Sequence, residues 1–219
     1  MTQETLRQGF HEVLASTGLV AILRGVRPDE VIDVGKVLYA EGFRIIEVPL
    51  NSPQPLQSIE RLARNLPADA VVGAGTVLAV RQVEDVVAAG GRLAVMPHSD
   101  GGIIRAAVDT GMMVLPGVAT PTEAFAALAA GASALKAFPA ELLTPAVLKA
   151  WRAVLPAGVP LVPVGGITPE AMPAYLDAGA AGFGLGSALY RAGDTASAVQ
   201  PRARAFMQCW RQAKTRPHG

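Results

Sequence analysis

The stretch Leu161-Val162-Pro163-Val164-Gly165-Gly166-Ile167-Thr168-Pro169 decides the fold. A short apolar run ends in two glycines and passes into a Thr-Pro helix start. A run without polar alternation fits a strand covered on both faces, as in a parallel sheet. The same unit recurs along the chain. Earlier runs are Leu19–Leu23, Ile45–Leu50, Ala70–Thr76, Leu93–Pro97, Met112–Pro116 and Ala134–Pro139, and Gly182–Ser187 follows. They make eight, about 20 to 27 residues apart, which is room for one strand and one crossover helix. Pro28, Pro53, Pro121, Pro145 and Pro169 are read as first helical residues, four of them behind a Ser or Thr that can cap. Thr120-Pro121-Thr122-Glu123 has the form of a capping box. Gly42, Gly90, Gly111, Gly131 and Gly179 are read as helix stops.

Eight βα units predict an α/β fold, a single (β/α)8 TIM barrel spanning residues 1–219. An open doubly wound sheet shares the alternation. It is disfavoured by the regular count of eight and by the lack of Gly-x-Gly-x-x-Gly after the first run. Residues 1–16 are expected to form an extra N-terminal helix plugging the barrel floor. The tail, about 214–219, is expected to fray.

Composition narrows the function. Of 219 residues, 51% are hydrophobic and 17% charged, which excludes a disordered chain. Gly (23) and Pro (17) are raised but below low-complexity levels. A net charge of +1 supplies no general field for nucleic acid or an anionic membrane. One cysteine, Cys209, forms neither an internal disulfide nor a Cys-rich metal site. No signal core is visible near the N-terminus, and Ala124–Leu135 is too short and too interrupted to span a bilayer. The expectation is a cytoplasmic protein.

The informative residues are charges that break the apolar runs. Arg24 ends the first, Glu47 lies inside the second, and Lys136 lies inside the sixth. Such residues are almost never fully buried without partners. In a barrel, the carboxyl ends of the strands share one mouth, so all three are expected to converge there. A structural Glu47–Lys136 salt bridge is the alternative. A lysine on a core strand can attack a carbonyl as a neutral amine and form a Schiff base. Neutralising it at pH 7 costs roughly 4.6 kcal/mol from a reference pKa of about 10.4. An apolar pocket can supply a shift of that order. Glu47 is then the candidate proton carrier and Arg24 the fork for a substrate carboxylate. Thr76 offers a hydroxyl at the same rim. Gly165-Gly166 and Gly186-Ser187 end the last two strands, the usual phosphate site of such barrels, although simple tight turns read the same way.

Five segments occur in order: Ala21-Ile22-Leu23-Arg24-Gly25, Ile46-Glu47-Val48-Pro49-Leu50, Gly73-Ala74-Gly75-Thr76-Val77, Leu135-Lys136-Ala137-Phe138-Pro139-Ala140 and Val164-Gly165-Gly166-Ile167. Together they resemble the class I aldolases that cleave 2-keto-3-deoxy-6-phospho sugar acids. The resemblance implies that Lys136 forms the Schiff base with pyruvate and that Glu47 is the general acid/base. It implies that Arg24 and Thr76 hold the carboxylate and that Gly165, Gly166, Gly186 and Ser187 hold the phosphate. It further implies a cytoplasmic homotrimer that needs no metal and no cofactor. Asn51 after the second run and Val164 before Gly-Gly resemble the galactonate branch, where the gluconate branch has Arg-Thr and Thr. These two positions are the specificity candidates. The alternatives are a gluconate-epimer or dual-epimer aldolase, another phosphosugar enzyme on this barrel, and a non-catalytic binder. His98 is read as a rim residue. His11 and His218 are read as surface residues, Cys209 and Trp210 as packed, and Glu141 as a solvated helix start, with a contact to substrate as its alternative.

Overall fold

The computed structural model describes residues 3–215. The strands are β1 (Leu19–Ile22), β2 (Ile45–Pro49), β3 (Val71–Gly75), β4 (Leu93–Val95), β5 (Met113–Leu115), β6 (Gly117–Val118), β7 (Leu135–Ala137), β8 (Leu161–Pro163) and β9 (Phe183–Leu185). The helices are α1 (Gln3–Thr17), α2 (Val31–Glu41), α3 (Pro55–Asn65), α4 (Val80–Ala88), α5 (Gly101–Asp109), α6 (Pro121–Ala129), α7 (Pro145–Arg152), α8 (Met172–Asp177) and α9 (Ala196–Lys214). The fifth apolar run is longer than read. It continues as β6 beyond Pro116, which lacks an N–H and interrupts the ladder.

All paired strands are parallel, in the orders β5-β4-β3-β2-β1-β9 and β6-β7-β8. Two links close them into one ring. β5 and β6 are halves of one strand, and β8 meets β9 through a parallel Val164–Gly184 bridge and an Ala181 N–H bond to Leu161 O (2.8 Å). The result is the expected (β/α)8 barrel.

Strand residues alternate between two apolar clusters. Leu19, Ala21, Ile46, Val48, Val72 and Ala74 face the outer helices. Val20, Ile22, Ile45, Val71, Leu93, Met113 and Val162 fill the interior. Phe10 and Leu14 of α1 join that inner cluster and are almost wholly buried, so the N-terminal helix does plug the barrel. Full burial of each such side chain is worth about 1.5–3 kcal/mol. His11 does more than lie on the surface: its Nε2 sits 2.7 Å from Ser133 O, anchoring the plug. Trp210 donates to Ser16 O and packs where a Cβ on Gly18 would collide with its ring.

All five glycines read as stops have positive φ. The capping box at Thr120 forms, and Pro121 and Pro145 open α6 and α7. Pro28 and Pro169 instead lie in single turns before their helices, closed by Glu30 N–H to Arg27 O and Ala171 N–H to Thr168 O. Pro53 precedes a left-handed Gln54 (φ 44°), and α3 starts at Pro55. α9 runs to Lys214; of the tail expected to fray, residues 216–219, with His218, lie outside the described residues. No helix among the described residues is long and apolar enough to cross a membrane.

Candidate active site

Strand parity points the two charged side chains inward. Glu47 shares a face with Ile45, and Lys136 shares one with Ala134, both members of the inner cluster. Each has a glycine on one side in register and an apolar residue on the other: Glu47 pairs with Gly73 and Ile22, and Lys136 with Gly117 and Val162. Gly73, Gly75, Gly117 and Gly184 share the inward parity of Glu47 and Lys136 and pack closely against neighbouring strands and side chains. Gly75 makes room for the Glu47 side chain. A Cβ there would lie 2.6 Å from Glu47 Oε1 and 2.8 Å from its Cδ.

Glu47 is 2% exposed and Lys136 6%. Glu47 Oε2 has no hydrogen-bond partner among the described residues. No ion pair within 4.0 Å joins the two groups, so the structural salt bridge does not form. Burial raises the Glu47 carboxyl above its ordinary range, against the attraction of Lys136 and Arg24. Burial likewise lowers the Lys136 ammonium, against Glu47 and helped by Arg24. Lys136 Nζ also lies 4.8 Å from the centroid of the Phe138 ring. Cation–π attraction of about 0.5–2 kcal/mol favours the charged amine, but it is smaller than the several kcal/mol of desolvation. The pair is thus drawn toward neutrality: a nucleophilic amine beside a carboxyl able to exchange protons.

Arg24 follows β1 and is exposed at the mouth. Its Nη1 donates to Asn51 Oδ1 at 2.7 Å, and Gly25 N–H donates to the buried Ser52 Oγ at 2.9 Å. The loops after β1 and β2 are therefore fastened together. Thr76 follows β3 with φ 59°, a left-handed backbone that a β-branched residue rarely adopts. Gly165 (φ 118°) and Gly166 (φ 60°) turn the chain after β8, while Gly186 and Ser187 follow β9, with open space beside Gly186. Val164 projects onto Gly184, where a Cβ would meet Val164 Cγ2 at 2.5 Å. The chain thus brings Arg24, Glu47, Thr76, Lys136 and both glycine loops to one end of the barrel. His98 is exposed at that rim, as read. Among the described residues no group of three His, Cys, Asp or Glu side chains could hold a metal ion.

Two contacts were not legible in the sequence. Glu141 is exposed but lies against the Gly165-Gly166 turn rather than free in solvent. Tyr190, 2% exposed, donates to Glu30 Oε1 at 2.9 Å and ties the loop after β9 to the one after β1. Only the closed ring makes these neighbours.

The family described as KDPG and KHG aldolase has a model that matches residues 10–200. The chain belongs to this aldolase family. The 2-dehydro-3-deoxy-6-phosphogalactonate aldolase of Escherichia coli is 48% identical to this family member over 196 residues, 89% of this chain and 95% of that one. A solved native KDPGal structure superposes with TM-score 0.89 at 46% identity, covering 90% of this chain and 96% of that chain. The KDPG aldolase of Legionella pneumophila, solved with pyruvate captured as a covalent carbinolamine, gives TM-score 0.77 at 27% identity over 91% of this aldolase and 95% of that chain.

Proposed function

We propose that this chain is a class I aldolase that cleaves 2-dehydro-3-deoxy-6-phospho-D-galactonate to pyruvate and D-glyceraldehyde 3-phosphate. One observation carries the reading: an inward amine on β7 and an inward carboxyl on β2, both buried, with no ion pair between them. Lys136 attacks the C2 carbonyl, and loss of water from the carbinolamine gives an iminium ion. Glu47 takes the C4 hydroxyl proton through water. The C3–C4 bond breaks, its electron pair flows into the iminium, and the aldehyde departs. Protonation of the enamine at C3 and hydrolysis then free pyruvate and Lys136.

Arg24 and Thr76 hold the carboxylate, and Gly165, Gly166, Gly186 and Ser187 hold the phosphate. Val164 and Asn51 set epimer preference. Val164 has no hydroxyl to bond a C4 hydroxyl, which favours the galactonate epimer over the gluconate epimer or dual use. A homotrimer follows from the family resemblance, and exposed apolar side chains such as Phe125 and Leu142 are available for contact between copies. We place the enzyme in the cytoplasm.

Borohydride reduction in the presence of pyruvate is the test. The protein should gain mass on Lys136, and Lys136→Ala should gain none. An equal gain in that variant would sink the imine. Relative turnover of the two epimers decides the substrate.

A further inference from the structure

Glu141 stands on a pinned piece of backbone. Ala140 N–H donates to Val164 O at 2.9 Å, and the Tyr175 hydroxyl donates to Ala140 O at 2.9 Å. The loop after β7 is thereby fixed beside the loop after β8, and the Glu141 side chain is delivered onto the Gly165-Gly166 turn. A Cβ on Gly165 would collide with Glu141 Oε2, and one on Gly166 would lie 3.2 Å from both Glu141 Cγ and Oε1. Among the described residues no cation pairs with this carboxylate. A carboxylate with no cation partner thus lies against the turn that, in the proposed function, receives a phosphate.

We infer that Glu141 tunes the affinity of the phosphate subsite, an internal anion that lies against the turn when it is empty and is displaced by the substrate phosphate. The inference rests on reading Gly165-Gly166 as that subsite. A phosphate monoester carries about −1.5 to −2 charges at pH 7, so it and a carboxylate do not share one turn. Each phosphate that binds must first expel Glu141, and each phosphorylated aldehyde that leaves is helped out by its return. A ligand whose binding-competent state is only partly populated binds more weakly by that fraction. Glu141 therefore weakens binding of the phosphate end and leaves the pyruvate end untouched.

The test measures inorganic phosphate binding by calorimetry at low ionic strength. Glu141→Gln keeps the shape and removes the charge. It should tighten phosphate about fivefold, in line with a partly exposed charge pair, and the gain should shrink as salt is added. KM for the phosphorylated substrate should fall in parallel, while the pyruvate concentration giving half-maximal trapping on Lys136 stays fixed. Glu141→Asp, which keeps the charge, should stay near wild type. Unchanged or weaker phosphate binding in Glu141→Gln overturns the inference. If phosphate binds neither protein while pyruvate is still trapped, the phosphate reading falls and takes this inference with it. If phosphate tightens as stated but no pyruvate is trapped, Glu141 keeps its role and the Schiff-base reading fails.

Discussion

Arg24 Nη1 donates to Asn51 Oδ1 across 2.7 Å, so the arginine at the mouth after β1 is held by a side chain from the loop after β2. One end of the guanidinium is committed to Asn51, and the rest of the fork is left for a carboxylate. Asn51→Ala frees the side chain. A hydrogen bond to a charged group is worth about 1.5–3 kcal/mol, and part of that should appear as weaker carboxylate binding. Half-maximal trapping should then need about tenfold more pyruvate, with little change in the maximal rate. Asn51→Asp should be worse, because its carboxylate competes for the same fork. No change in either variant would show that Arg24 positions itself.

Gly75→Ala tests the fit around Glu47. Its Cβ would lie 2.6 Å from Glu47 Oε1 and 2.8 Å from its Cδ, so the carboxylate must shift from its place. Misplacement by about 1 Å can cost on the order of 10²-fold in rate. Cleavage should fall by about that factor while circular dichroism stays native. Wild-type turnover in this variant would remove Glu47 from the chemistry.

The pH dependence of imine formation has a definite sign. Burial and Arg24 lower Lys136, and Glu47 pulls it back up. In Glu47→Gln the upward pull is gone, so the amine loses its proton at lower pH. The acid limb of pyruvate trapping should shift to lower pH, while cleavage drops on the order of 10²–10⁴-fold for loss of a general acid/base. Arg24→Gln should move the limb the other way. A limb that is stationary in both variants would mean that another group controls it.

Thr76 carries backbone strain. A non-glycine residue in the left-handed region costs about 1–3 kcal/mol, and glycine regains part of that while losing about 0.5–1 kcal/mol to chain entropy. Thr76→Gly should raise Tm by about 2–4 °C, the shift expected for a net gain near 1 kcal/mol. It should bind pyruvate more weakly because the hydroxyl is gone. A fall in Tm on thermal melting contradicts the account.

Val164→Thr adds a hydroxyl where the side chain meets Gly184. Competition between epimers should shift toward the gluconate form by a factor corresponding to about 1–3 kcal/mol. An unchanged ratio assigns epimer choice elsewhere.

Much of this was legible in the chain. The strand runs and glycine stops were readable because burial on both faces and left-handed helix ends leave local marks, as at Leu161–Val164 and Gly42. Lys136 and Glu47 were conspicuous because charge is rare in such runs. Helix starts at Pro28 and Pro169 were misplaced because a proline in a single turn looks the same as one at the head of a helix, and Pro53 was misplaced because the left-handed Gln54 after it delays α3 to Pro55.

By itself the sequence determined the βα repeat, the eightfold count and the two charges that break it, all properties of neighbours a few residues apart. Only the tertiary structure decided that Gly75 makes room for Glu47, that Asn51 holds Arg24, and that Glu141 lies over Gly165. Those contacts join side chains on different strands and loops. Their separation is fixed by how the ring closes, and no local periodicity carries that information.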